Sequence, residues 1–88
     1  MNRLEESRKA VLFVGHGSKD PEGNREAAVF VDMLKPRLEE YFVHLCYLEF
    51  ASPTITEGIE QCVADGAQKI AVIPIILLPA GHSKLHIP

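Results

Sequence analysis

The chain has no surplus of basic residues, no long uninterrupted apolar run and no paired cysteines, and each shortage closes off a class of function. Lys and Arg number 9 against 12 Asp and Glu, a formal charge of −3, so the basic stripe that a nucleic-acid footprint needs is missing. The longest apolar run, IAVIPIILLPA, is broken by Pro74 and is too short for a membrane span. The opening MNRLEESRKA is polar, with no apolar central region, and does not read as a signal peptide; the expected compartment is the cytoplasm. Cys46 and Cys62 stand apart, without metal or redox spacing, and two free thiols suit a reducing compartment. Both read as small core residues. Low-complexity stretches and linkers are missing too.

What is present is ordinary for a globular protein: 88 residues, 47% hydrophobic and 24% charged, enough for one small domain over residues 1–88 that buries about 60% of its unfolded surface. Residues 10–15, AVLFVG, form a continuous apolar run ended by glycine, as in a strand buried on both faces of a parallel sheet. Beyond the turn, Asn24 is expected to cap a helix whose apolar positions are Ala27, Val31, Leu34 and Leu38, with Pro36 kinking or splitting it. Residues 42–48, FVHLCYL, read as a second strand in which His44 packs or hydrogen-bonds. In SPTITEGIEQCVADGA, Ser52 is expected at the N-cap and Pro53 at the first helical position, Ile55, Ile59, Cys62 and Val63 on one face, and Gly66 at the stop. KIAVIPIIL reads as a third strand, apolar enough for the middle of a sheet, with Pro74 at a bulge or unpaired position. Strands alternating with helices predict right-handed crossovers and an α/β doubly wound parallel sheet. The expected fold is a flavodoxin-like half, truncated after the third strand, with HIP and Pro88 reading as the approach to another helix.

In open parallel sheets ligands bind beyond the carboxyl ends of the strands. With strand one between the other two, the residues just past the three strands are His16, Glu49 and His82, each separated from the next by 33 residues, about one βαβ repeat. Two imidazoles and a carboxylate suit Fe²⁺, Co²⁺, Ni²⁺ or Zn²⁺ better than Mg²⁺ or Ca²⁺. Three protein ligands leave positions open, for a catalytic metal or for one to be handed on. Gly15, Gly17 and Gly81 would let a large or flat ligand approach the backbone. Ser18 and Ser83 flank the same edge, as do Lys19, Arg25 and Lys84, which could receive the carboxylates of an acidic substrate. His86, four residues after His82, is an auxiliary candidate. A second reading takes GHGSKDPEGN and the following helix as an anion cradle, with Ser18 and backbone amides around a phosphate, although the spacing is not that of a P-loop or dinucleotide fingerprint. The enzyme reading therefore stands beside a non-catalytic metal- or phosphate-binding α/β module.

LFVGHGSKDPEGNREA, YLEFASPTITEGIEQCVADGA and IAVIPIILLPAGHSKLHIP together resemble the N-terminal part of the sirohydrochlorin chelatases, the class II cobaltochelatase and ferrochelatase type, from Ala10 onward. The resemblance implies insertion of Co²⁺ or Fe²⁺ into the tetrapyrrole sirohydrochlorin, on the way to cobalamin or siroheme. His16 and His82 match the family's Gly-His histidines and Glu49 the acid of its Leu-Glu segment, which surround the metal. The metal is itself a substrate and no further cofactor is implied. The partners are the tetrapyrrole and the divalent ion, with no nucleic acid or membrane. Family members usually carry an acid where this chain has His86, and continue with at least another helix and strand. Their working cleft lies between two such halves, so a homo-oligomer or a second chelatase half is the expected companion.

Overall fold

A computed structural model of the chain describes residues 8–76. β1 (Lys9–Gly15) leads to α1 (Pro21–Leu34) and a 3₁₀ turn over Lys35–Arg37; β2 (Phe42–Tyr47), α2 (Ile55–Ala64) and β3 (Lys69–Pro74) follow. The strands form a parallel sheet in the order β2-β1-β3, the arrangement with which a doubly wound, flavodoxin-like sheet begins. Every residue of β1 after Lys9 is buried, because this central strand has neighbours on both edges and helices on both faces.

The alternation of side chains along β1 assigns the two layers. Ala10, Leu12 and Val14 point to one face and pack with Cys46 and Cys62, with Ile55 and Ile70 at the margin, so this face carries α2. Val11 and Phe13 point to the other and meet Val31, with Leu34, Leu38 and Leu45 around them, so this one carries α1. One strand side by side with two others can be reached by right-handed crossovers only if successive helices lie on opposite faces.

Pro36 ends α1 in a tighter turn, as its missing amide hydrogen requires. Both helix starts differ from the sequence expectation. Asp20, not Asn24, is the N-cap of α1: its carboxylate accepts from the Glu22 amide and Pro21 takes the first helical position. Asn24 lies inside the helix and serves the preceding loop. The cap of α2 is Thr54, not Ser52, and Pro53 precedes the helix after a cis peptide bond. Thr54 Oγ1 accepts from the Glu57 amide while the Glu57 carboxylate accepts from the Thr54 amide, a reciprocal capping box. Gly66 does terminate α2, at φ +95.

The buried face of α2 also differs from the expected stripe. Cys62 and Gly58 are buried and Ile55 is half-buried, whereas Ile59 and Val63 are exposed. A Cβ on Gly58 would stand 2.9 Å from Cys46 Cβ and 2.9 Å from Leu12 Cδ1, so the helix rests on the sheet through a residue without a side chain. Alanine there gains about 1 kcal/mol of helix propensity but overpacks a filled interface, which costs about 1–3 kcal/mol. Gly58→Ala is therefore expected to lower the midpoint of urea unfolding without changing its slope.

Cys46 and Cys62 are fully buried core residues, as the sequence suggests. Burial pushes both thiols up, helped for Cys46 by Cys62 and for Cys62 by Asp65, which keeps them protonated and inert at neutral pH. His44 Nε2 lies 2.6 Å from Asp65 Oδ2, tying β2 to the end of α2. The third strand ends at Pro74. The amide that donates to Val14 O is that of Ile75, at 2.8 Å, so the proline withholds no ladder bond from β1. Among the described residues β3 is an edge strand, and no helix there is long and apolar enough to cross a membrane.

Candidate metal centre at the carboxyl edge of the sheet

The three strands end level. Gly15 stands opposite Tyr47, and Val14 opposite Pro74. The pairing of β1 with β2 continues past the strands: the Leu48 amide donates to Gly15 O at 2.9 Å and the Glu49 amide to His16 O at 3.2 Å. Gly17 makes this continuation possible. It adopts φ +93, and a Cβ there would lie 1.7 Å from the Glu49 carbonyl oxygen, so the two loops touch backbone to backbone. With the chains this close, His16 Nε2 and Glu49 Oε2 sit 3.2 Å apart, with side chains 74% and 51% exposed. Both groups are presented outward rather than spent on the core.

The loop that carries His16 is pinned from behind. The Asn24 side chain accepts from the Ser18 amide and donates to the Ser18 carbonyl, both at 2.9 Å. Ser18 Oγ accepts from the Asp20 amide. Tyr47 donates its hydroxyl to Asn24 O at 3.1 Å, and burial pushes that phenol up. A side chain on Gly15 would press on the Tyr47 ring, at 3.2 Å. Next to Glu49, Phe50 holds a left-handed backbone, φ 67, and the Lys19 ammonium lies 5.2 Å from the centre of its ring. Beside His16 opens an apolar cleft of about 470 Å³, lined also by Val14, Leu48, Ile55, Val72 and Ile75. It lies between the ends of β1 and β3, where the strand order reverses, the usual ligand position in such sheets.

The structure therefore brings together Gly15, His16, Gly17, Ser18, Lys19 and Glu49. Gly81, His82, Ser83, Lys84 and His86 lie outside the described residues. Among the described residues no three His, Cys, Asp or Glu side chains gather closely enough to hold a metal ion; His16 and Glu49 supply two. An imidazole nitrogen and a carboxylate oxygen at this separation can face a common transition-metal ion, or pass a proton between them. The phosphate cradle meets an electrostatic obstacle, since the Asp20 carboxylate already takes the Glu22 amide and Glu22 adds a second negative charge to the first turn of α1. Sequence reasoning missed Phe50, whose left-handed backbone no residue pattern announces. It also missed the apolar cleft, although Leu48 beside Glu49 was a signal for it.

A parallel sheet of order β2-β1-β3 with a helix on each face defines a doubly wound α/β domain, and the imidazole–carboxylate pair stands at the carboxyl ends of β1 and β2. The chain belongs to the CbiX family, whose model matches residues 10–88. It is similar to a sirohydrochlorin cobaltochelatase of Priestia megaterium, 56% identical over 81 residues that make up 91% of this chain and 26% of that protein. A sirohydrochlorin ferrochelatase of the same organism is 46% identical over 79 residues, 90% of this chain and 30% of that one. The crystal structure of the sirohydrochlorin chelatase SirB from Bacillus subtilis subspecies spizizenii in complex with cobalt superposes with a TM-score of 0.74 at 42% identity, over 88% of this chain and 33% of that one. The chain spans about a quarter to a third of the length of these relatives.

Proposed function

We propose that the chain is the metal-gripping part of a sirohydrochlorin chelatase, which inserts Co²⁺ or Fe²⁺ into sirohydrochlorin in cobalamin or siroheme synthesis. The observation that carries this reading is the His16–Glu49 pair, 3.2 Å apart and exposed at the carboxyl edge of the sheet, in a chain similar to proteins named for that activity. His16, Glu49 and His82 are the proposed ligands. They hold the ion through few enough bonds that it can leave again, since the ion is a substrate and no resident cofactor is needed.

Insertion exchanges two pyrrole N–H protons for one divalent ion, so the site needs bases as well as ligands. One imidazole or the Glu49 carboxylate accepts a proton as a ring nitrogen takes over the metal, and their exposure lets the proton pass on to water. The ligands themselves must be neutral imidazole and ionised carboxylate to bind at all. Contrary to the sequence expectation, the missing side chains of Gly15 and Gly17 make room for the Tyr47 ring and the Glu49 backbone rather than for a flat macrocycle; Lys19, near Ser18, is the proposed partner of its carboxylates, and Gly81, Ser83 and Lys84 are proposed for the same substrate. The opposite wall of the cleft comes from a second copy or a second chelatase half, in the cytoplasm.

The test is to mix the chain with Co²⁺ and sirohydrochlorin and follow the tetrapyrrole absorbance. Insertion faster than the protein-free reaction supports the proposal. Since the opposite wall belongs to a second copy or half, the result that overturns it is Co²⁺ binding left unchanged when His16 and Glu49 are both replaced by alanine.

A further inference from the structure

Phe50 is costly where it stands. A bulky residue with φ 67 is a backbone outlier, of the kind that collects at functional sites, and a glycine would make the same turn more cheaply. Burial does not compensate, because the side chain is 56% exposed. The contact it does make is with Lys19, whose ammonium lies 5.2 Å from the ring centre. That contact joins the loop carrying His16 to the loop carrying Glu49. A lysine on an exposed loop ordinarily samples many rotamers; one resting on an aromatic face keeps its charge in one place, which lowers the ordering cost when an anion arrives.

We infer that Phe50 is a positioning residue that parks the Lys19 ammonium beside the His16–Glu49 pair, ready to receive a carboxylate of the incoming tetrapyrrole. The inference rests on the chelatase reading for its ligand, but not for its geometry. Lys19 makes the contact with the substrate and Phe50 acts through Lys19. Neither touches the metal.

Phe50→Gly separates ring from turn, since it removes the aromatic face and keeps the left-handed conformation available. Two measurements follow on the full chain. In the proton spectrum, ring currents are expected to move the Lys19 ε-methylene upfield in the parent; the shift should vanish in Phe50→Gly and return in Phe50→Trp. In fluorescence titrations with sirohydrochlorin, Phe50→Gly should weaken binding about two- to fivefold, the range of an exposed cation–π contact. Phe50→Trp should restore it, Co²⁺ affinity should not move, and adding Phe50→Gly to Lys19→Met should cost nothing more. If the parent binds the tetrapyrrole and Phe50→Gly binds it equally, or loses Co²⁺ affinity by the same factor, the inference is overturned and the chelatase reading survives. A parent chain that binds no tetrapyrrole overturns both.

Discussion

His16→Ala is expected to weaken Co²⁺ binding by about a hundredfold or more while leaving the fold intact. The two halves of that result have separate causes. Loss of a partner that merely orients a metal ligand already costs about 10- to 100-fold, so loss of a ligand should reach at least the upper end. Stability should scarcely change, because the imidazole is 74% exposed and its contact with Glu49 is a surface one, of a type worth about 1 kcal/mol at most. Glu49→Gln keeps the shape and removes the charge, and should weaken the metal to a smaller degree. Isothermal titration with Co²⁺ and a thermal melt on the same samples check both halves. A variant that melts with the parent and binds Co²⁺ equally well would remove His16 from the site.

Gly17→Ala is expected to damage both stability and site. Its Cβ would lie 1.7 Å from the Glu49 carbonyl oxygen at φ +93, so the loops must part, and with them His16 and Glu49. Left-handed backbone costs an alanine about 1–2 kcal/mol before any clash. Gly66 supplies the comparison: its φ is +95, yet nothing lies within 4 Å of where a Cβ would go. Gly66→Ala should show the backbone cost alone, with metal binding retained. Gly17→Ala should melt below it and lose Co²⁺ affinity by at least tenfold. Equal melting temperatures for the two variants would mean that the loops are not in backbone contact.

The features that were legible in the sequence are those fixed by local pattern. The buried run ending in Gly15, the steps Ala27, Val31 and Leu34, and the break at Pro36 each follow from a periodicity or a missing amide hydrogen, and each stands where expected. The meeting of His16 and Glu49 follows from the strand ends only once strand one is taken as central, and the order β2-β1-β3 meets that condition. The caps were harder. Asn24 can cap a helix, but Ser18 on the preceding loop competes for its amide group, and Asp20 stands where the helix begins. Ser52-Pro53 imitates a helix start, while the Thr54-x-x-Glu57 box two residues on was the stronger signal. Ile59 and Val63 are apolar and so read as part of the buried face; Gly58 takes that position since only a residue without a side chain fits against Cys46 and Leu12. Phe50 was not legible at all, its conformation being imposed by the joining of two loops.

The central claim is that His16 and Glu49 grip one divalent ion together. A crystal of the chain soaked in Co²⁺, with the metal located by its anomalous scattering, tests it most directly. The account predicts a cobalt ion about 2.0–2.2 Å from an imidazole nitrogen of His16 and a carboxylate oxygen of Glu49, the distance range of such bonds in comparable sites, with His82 completing the set. Cobalt bound elsewhere, with His16 and Glu49 paired only to each other, would contradict it.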